Sequence, residues 1–278
     1  MLGTLEKTGR VLELFSADRP EWGVTELAEA LGIPKSNAHE LLSSLFSINL
    51  LQRTKCGRYR LGWRIISMAN SMDYAAKLRQ CSTGLLRELA RSTGQTTHLA
   101  VWDGEQQLFI GRAVTEGSLD QGHAQPGAFV PAYCTASGKV LLSEMPWREV
   151  EQRVAKSGFV PRTVHTIRSL AELRDELRVV SSRGYGLNQE EVDLGVCSIA
   201  APVRGKDGHA IAAVGVSVRT HEFDDFLSSH VTTVLTMAAR LSRAVNTFGE
   251  AYGVPPRVGS SYRARVNRGG RSPYASFT

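Results

Sequence analysis

The sequence predicts an α+β chain: an N-terminal winged helix-turn-helix, a linker helix, and a larger domain of antiparallel sheet with flanking helices. Three observations predict it. Apolar residues recur at helical spacing through residues 4–45 around a glycine turn, alternating strands follow at 50–61, and hairpin and helix patterns mix from residue 82 onward. With 278 residues and 42% hydrophobic content, the chain can build two modest cores.

From Thr4 to Ser16, the positions Leu5, Val11, Leu12, Leu14 and Phe15 mark a first helix, which Asp18-Arg19-Pro20-Glu21-Trp22-Gly23 breaks. Thr25 is expected to cap a second helix that turns Leu27, Ala28 and Leu31 inward, and Gly32 ends it. Ile33 plugs the corner. Pro34 stands at or just before the first turn of a third helix, whose buried stripe is Ala38, Leu41, Leu42 and Leu45. A small residue where two helices cross and a glycine where the chain turns are what a helix-turn-helix needs.

Leu50–Thr54 and Arg58–Leu61 read as two strands about Lys55-Cys56-Gly57, a hairpin in the position of a wing. Arg53, Lys55, Arg58 and Arg60 place four cations on it with no acid between, a density suited to gripping phosphates, and Tyr59 either packs or bonds a phosphate. The outward residues of the third helix, Lys35, Ser36, Asn37, His39 and Ser43, are candidate major-groove readers. Asn37 matches adenine, while Lys35 and Ser36 suit phosphates near the helix start. Glu40 must point away from the backbone, pair with a cation, or accept from a cytosine amino group. An ordinary helical hairpin followed by a solvated β-hairpin is the alternative.

Trp63 to Leu78 carries Ile65, Ile66, Met68, Ala69, Met72 and Ala75 or Ala76 on one broad face, which predicts a connecting helix packed on a partner subunit or on its own domain. Strands are then expected at Thr96–Trp102 and Gln107–Ala113 about an Asp103-Gly104 turn, with a helix from near Ala136. Further helices follow at 147–157 and 169–183, strands at 186–190, 198–204 and 210–218, and a long helix at 222–248. Thr135-Ala136-Ser137-Gly138 offers backbone N–H groups and hydroxyls at the positive end of a helix, which is either a carboxylate seat or a plain cap. Asn188, Ser198 and Ser217 add polar groups to strands rich in Val, Ile and Ala, the way a mostly apolar pocket fixes a small polar ligand. Leu119 and the Gly122-His123 region are candidates to close it.

The segments Leu31–Asn37, Glu40-Leu41-Leu42, Gly57–Gly62, Tyr133–Leu142 and Arg183–Pro202 resemble the IclR family of bacterial transcriptional regulators, over roughly residues 4–248. The resemblance implies a GAF-like effector-binding domain, a homodimer with tetramers left open, and pseudo-palindromic double-stranded operator DNA. It also implies a small organic-acid effector, aromatic acids included, and repression more often than activation. The DNA-facing set is Thr25, Lys35, Ser36, Asn37, His39, Arg53, Lys55, Arg58 and Tyr59. The effector set is Ala136, Ser137, Gly138, Asn188, Ser198 and Ser217. Glu40 stands where the family often has Arg, Asn188 where Asp is common, and Ser198 where Cys is common, so neither operator nor ligand carries over. The domains expected are 1–62 for DNA binding, 63–80 for the linker, 81–250 for the effector domain, and 251–278 for a mobile tail.

Five arginines of that tail supply most of the net charge of +6, so the overall charge says little about DNA; the tail reads as a solvated end or a non-specific binding arm. The N-terminus has no signal-peptide character and no apolar run is long enough to span a membrane, which predicts the cytoplasm. Cys56, Cys81, Cys134 and Cys197 are scattered, without zinc or disulfide spacing. No catalytic residue, cofactor or metal is expected. Cys134 with His98 and His123 forms a Cys/His inventory without a nucleophile motif, and Glu190-Glu191-x-Asp193, read as strand, would point its acids to opposite faces. A protein-binding adaptor would leave the wing cations unexplained.

Overall fold

The computed structural model describes residues 3–16, 19–70, 72–103, 106–119 and 124–248, and the chain divides into two compact units, Met1–Ala76 and Lys77–Thr278. That division falls between the expected boundaries at 62 and 80. Gly104, the Gly122-His123 region and the basic segment 251–278 lie outside the described residues. No helix among the described residues is long and apolar enough to cross a membrane.

The first unit runs α1 (Gly3–Glu13), β1 (Glu21–Trp22), α2 (Val24–Leu31), α3 (Lys35–Ser47), β2 (Leu51–Arg53), β3 (Tyr59–Leu61) and α4 (Arg64–Asn70). Its core gathers Val11, Trp22, Leu27, Ala28, Leu31, Ala38, Leu42, Leu45, Leu51 and Tyr59. Gly32 makes the turn between α2 and α3 at φ 65°, a left-handed backbone that costs glycine nothing. The short β1 was not foreseen, because two residues carry no alternation to read. It pairs antiparallel with β3, Trp22 opposite Tyr59, and completes a three-stranded sheet in the order β1-β3-β2.

Two expectations are corrected here. Thr25 does not cap α2: the capping position is Gly23, in extended backbone, and the Glu26 carboxylate accepts the Gly23 N–H at 3.3 Å. Thr25 is the exposed second residue of the helix. The connecting helix is not continuous either. It ends at Asn70 and resumes as α5 (Asp73–Thr93), with the Met72 N–H bonded back to Ala69 and the Met72 carbonyl starting the next helix through Ala76.

The second unit adds β4 (Thr96–Trp102), β5 (Gln107–Ala113), β6 (Phe129–Val130), α6 (Ala136–Ser143), α7 (Trp147–Ser157), α8 (Leu170–Arg183), β7 (Gly186–Gln189), β8 (Val196–Arg204), β9 (Ala210–Arg219) and α9 (Phe223–Phe248). Its sheet is antiparallel throughout, in the order β6-β5-β4-β9-β8-β7. Residues 210–218 of β9 are buried without interruption, so both faces are covered. Helix α6 lies over Ala200 and Ala213, and α9 also packs on β8 and β9. Strand β7 stops at Gln189, one residue early, because Glu190 adopts φ 60°. Glu190 and Glu191 therefore lie in a loop and not on a strand. Glu190 closes that loop: its N–H bonds Val196 and its carboxylate accepts the Gly195 N–H at 2.6 Å.

Candidate functional site

In the first unit, Lys35, Ser36, Asn37, His39 and Glu40 are exposed on α3 while Ala38, Leu42 and Leu45 anchor its other face. Ser44, outside the expected set of readers, is exposed on the same side as Asn37 and Glu40. On the wing, Arg53, Lys55 and Arg60 are exposed, and Arg53 lies over the Tyr59 ring at 5.9 Å. Tyr59 itself is core. It is 3% exposed, so of its two expected uses packing is the one realised.

Arg58 is placed differently from its neighbours. Its guanidinium grips the Glu26 carboxylate at 2.7 and 3.0 Å and donates to the Glu21 carbonyl at 3.0 Å. Arg19 bonds the same carboxylate at 3.0 Å and lies over Trp22 at 3.4 Å. Hydrogen bonds from Arg58, the Gly23 N–H and Arg19 hold the Glu26 carboxyl down to about 2. Glu26 is thus the knot that ties the wing to the start of α2, and Arg58 is spent on it. The stabilisation is present above the ordinary carboxylate range and is lost as pH falls through about 2.

In the second unit, four strands bring one polar residue each into register. Asn188 pairs with Ser198, Ser198 with Ser217, and Ser217 with Thr96, so all four side chains leave the same face of the sheet. This is the face that carries α6, because Ala200 and Ala213 alternate with them. All four are buried. His98 joins the row from the next inward position of β4, with Nδ1 3.5 Å from Ser217 Oγ and its ring edge-on to Phe109. Gly215 leaves the room for that imidazole: a Cβ there would run into the His98 ring. Thr96 and His98 stand in an unbroken polar run, Thr96-Thr97-His98, so the sequence carries no alternation that singles them out.

Helix α6 begins above this face. Thr135 is its cap, accepting the Gly138 N–H at 3.0 Å and donating to Gln107 Oε1 at 2.5 Å, while Gln107 Nε2 donates to Ser137 Oγ at 2.9 Å. The Gly138 N–H is thereby consumed by the cap and is not free for a ligand. The N–H groups of Ala136 and Ser137 have no acceptor among the described residues. Asn188 Oδ1 accepts the Glu191 N–H at 2.8 Å, which leaves the Asn188 amide nitrogen as a donor. At the helix start the unpaired N–H groups are donors, while beside Asn188 the Glu191 Oε2 is a buried acceptor with no partner among the described residues.

Beneath it lies a buried ion pair. Lys139 Nζ, from α6, meets Glu191 at 2.5 Å, Glu176 of α8 at 3.4 Å and the Leu187 carbonyl at 3.0 Å. Burial pushes the Glu191 carboxyl up, against the opposing pull of Lys139. Burial, with Glu191 adding, also drives the Cys134 thiol up to about 12, the reverse of what a nucleophile requires. Among the described residues no group of His, Cys, Asp and Glu is arranged to hold a metal ion.

Residues 4–55 match the family description "IclR helix-turn-helix domain" and residues 72–243 match "Bacterial transcriptional regulator IclR C-terminal". The chain is 31% identical over 248 residues to the HTH-type transcriptional regulator XynR of Escherichia coli (strain K12), covering 88% of this chain and 98% of that one. It is 26% identical over 210 residues to the acetate operon repressor of Salmonella typhimurium (strain LT2), covering 75% and 77%. Among solved structures, an IclR homologue from Microbacterium hydrocarbonoxydans complexed with 4-hydroxybenzoate aligns with a TM-score of 0.74 at 24% identity, over 89% of this chain and 99% of that one. The Thermotoga maritima IclR aligns with a TM-score of 0.66 at 25% identity, over 88% and 99%. The chain belongs to the IclR family of DNA-binding transcriptional regulators, with a helix-turn-helix domain and an effector-binding domain.

Proposed function

We propose that the protein is a homodimeric repressor that reads a pseudo-palindromic operator and changes its affinity for it when a small organic acid, aromatic acids included, binds the second unit. The observation that carries the acid is the set of donors at the start of α6: the Ala136 and Ser137 N–H groups and the Asn188 amide nitrogen suit an acceptor-only carboxylate. The buried row of Ser198, Ser217 and His98 gives the rest of such a molecule polar anchors among apolar neighbours, whereas Thr96 already donates to the Leu119 carbonyl at 2.5 Å. A relative whose structure holds 4-hydroxybenzoate supports the aromatic class. The repressor named among the relatives supports the sign.

The dimer rests on α4 and its flanks, where Trp63 (72%), Ile66 (52%), Met68 (55%) and Met72 (61%) are exposed, too much apolar surface for a helix left in water. Two copies would set two α3 helices in successive major grooves. The experiment is selection of bound sequences from random DNA, then thermal-shift screening of carboxylic acids beginning with 4-hydroxybenzoate. An enriched inverted repeat and a stabilising acid support the reading. Absence of enrichment at low salt sinks it.

Two substitutions divide the labour on the DNA side. Lys55→Ala should weaken binding to all sequences alike and flatten the salt slope by about one unit, as loss of a phosphate contact does. Arg58→Ala should leave that slope unchanged while loosening the wing, because its charge is committed to Glu26. A flattened slope for Arg58→Ala would restore it to the phosphate contacts. Asn37→Ala should cost roughly 1 to 3 kcal/mol at particular base pairs, read by competition between operator variants, and uniform weakening would argue against base reading.

A further inference from the structure

Helices α6, α7 and α8 line an open groove of about 510 Å³ at the other end of α6 from the donors of Ala136 and Ser137. Its floor is apolar and buried, from Leu142, Met145, Val150 and Leu177, and the half-buried Trp147 forms a wall. Arg174 and Arg178 stand exposed on its rim, one turn apart on α8. The groove shares no residue with the polar row.

We propose that this groove docks an acidic amphipathic helix of a partner protein. The chemistry of the lining selects that occupant. None of the lining residues is acidic; the remaining three, Ser143, Ser181 and Ser182, are neutral. Arg174 lies 5.2 Å from the Trp147 ring centroid and has no carboxylate partner among the described residues. Arg178 meets Asp175 at 3.1 Å, a pair so exposed that water screens most of it. A free anion would answer the two cations and leave the apolar floor wet. A wholly apolar helix would cover the floor and strip water from Arg174 without replacing it. A helix with leucine-like residues on one face and carboxylates along its edge satisfies both, since the trough beside two helices accepts the ridge of a third. The two arginines are spaced about 6 Å along α8, the rise of one helical turn, so carboxylates one turn apart on the incoming helix meet both. Residues 255–278 of this chain are an unsuitable occupant, because they carry five arginines and no acid.

The test uses the full chain and a fluorescein-labelled peptide of about 15 residues, built from leucine and glutamate with leucines at i, i+3, i+4 and i+7, and read by anisotropy. It should bind saturably at about 10 to 500 μM, the strength of a small transient interface. The peptide with alanine for leucine, equal in charge and helical tendency, should bind at least about tenfold more weakly, and so should the one with lysine for glutamate. Because the wing and residues 255–278 also carry cations, variants of the groove locate the binding. Arg174→Glu with Arg178→Glu leaves the floor intact, and should weaken the glutamate peptide at least about tenfold while strengthening the lysine one. Ser182→Glu, which adds an acid and removes no cation, should shift both peptides in the same directions. Circular dichroism checks that the variants fold. No saturable binding up to about 1 mM, equal binding of the alanine peptide, or full affinity in the folded double variant would each overturn the proposal.

Discussion

Glu191→Ala should cost the second unit roughly 3 to 5 kcal/mol of unfolding free energy at neutral pH, because it strands the Lys139 ammonium in the interior. What remains to Lys139 is the Leu187 carbonyl and Glu176 at 3.4 Å, a carboxylate already shared with Arg183 at 3.2 Å. Urea denaturation followed by fluorescence reads the loss. Replacing both partners, Lys139→Met with Glu191→Leu, should recover most of it, since the desolvation cost of two charges vanishes with them. Equal losses in the single and double variants would show that packing and not charge is responsible. The pH dependence has a definite sign. Burial raises the native carboxyl above its unfolded value, so the native state holds the proton longer, and this group's contribution is full below the ordinary carboxylate range and is lost as pH rises through the raised value. Glu191→Gln should remove that slope.

Ser198→Leu should abolish the response to effector while operator binding persists. Ser198 stands between Asn188 and Ser217 in the polar row, and a leucine there both fills the space and withdraws a polar anchor. The change in operator affinity on adding effector, roughly 5- to 150-fold in coupled systems, should fall to none. Overpacking should cost the unit about 1 to 3 kcal/mol, so folding is checked alongside. Ser198→Cys, close in size, should keep the response. A normal response in a folded Ser198→Leu would move the effector site off this face.

Long periodic segments were legible in the sequence. The strand pair Thr96–Trp102 and Gln107–Ala113 and the helix Trp147–Ser157 stand where alternation and helical spacing put them. The cap of α2 was also readable but misassigned: a glutamate three residues on marks a cap, and Glu26 stands at that distance from Gly23, not from Thr25. Other features had no local signal. The Arg58–Glu26 grip joins residues 32 positions apart, and Lys139–Glu191 joins residues 52 apart. The charge of Arg58 is visible in the sequence, whereas its pairing with Glu26 is decided by tertiary proximity. In the same way the residue types at Thr135 to Gly138 showed a helix start, while the loss of the Gly138 N–H to the cap depended on where the helix lay against Gln107.

The order of the large sheet bears on synthesis. Its two central strands, β4 and β9, come from opposite ends of the unit, and His98 meets Ser217 across 119 residues of chain. Contacts so distant in sequence form slowly and only after the later strand has left the ribosome. The helices and wing of the first unit, by contrast, close among themselves by Leu61. A nascent chain therefore completes its helix-turn-helix unit well before its second unit can close, and on the proposed reading a chain terminated between the first unit and β9 should keep the DNA-binding fold while lacking Ser217 of the polar row.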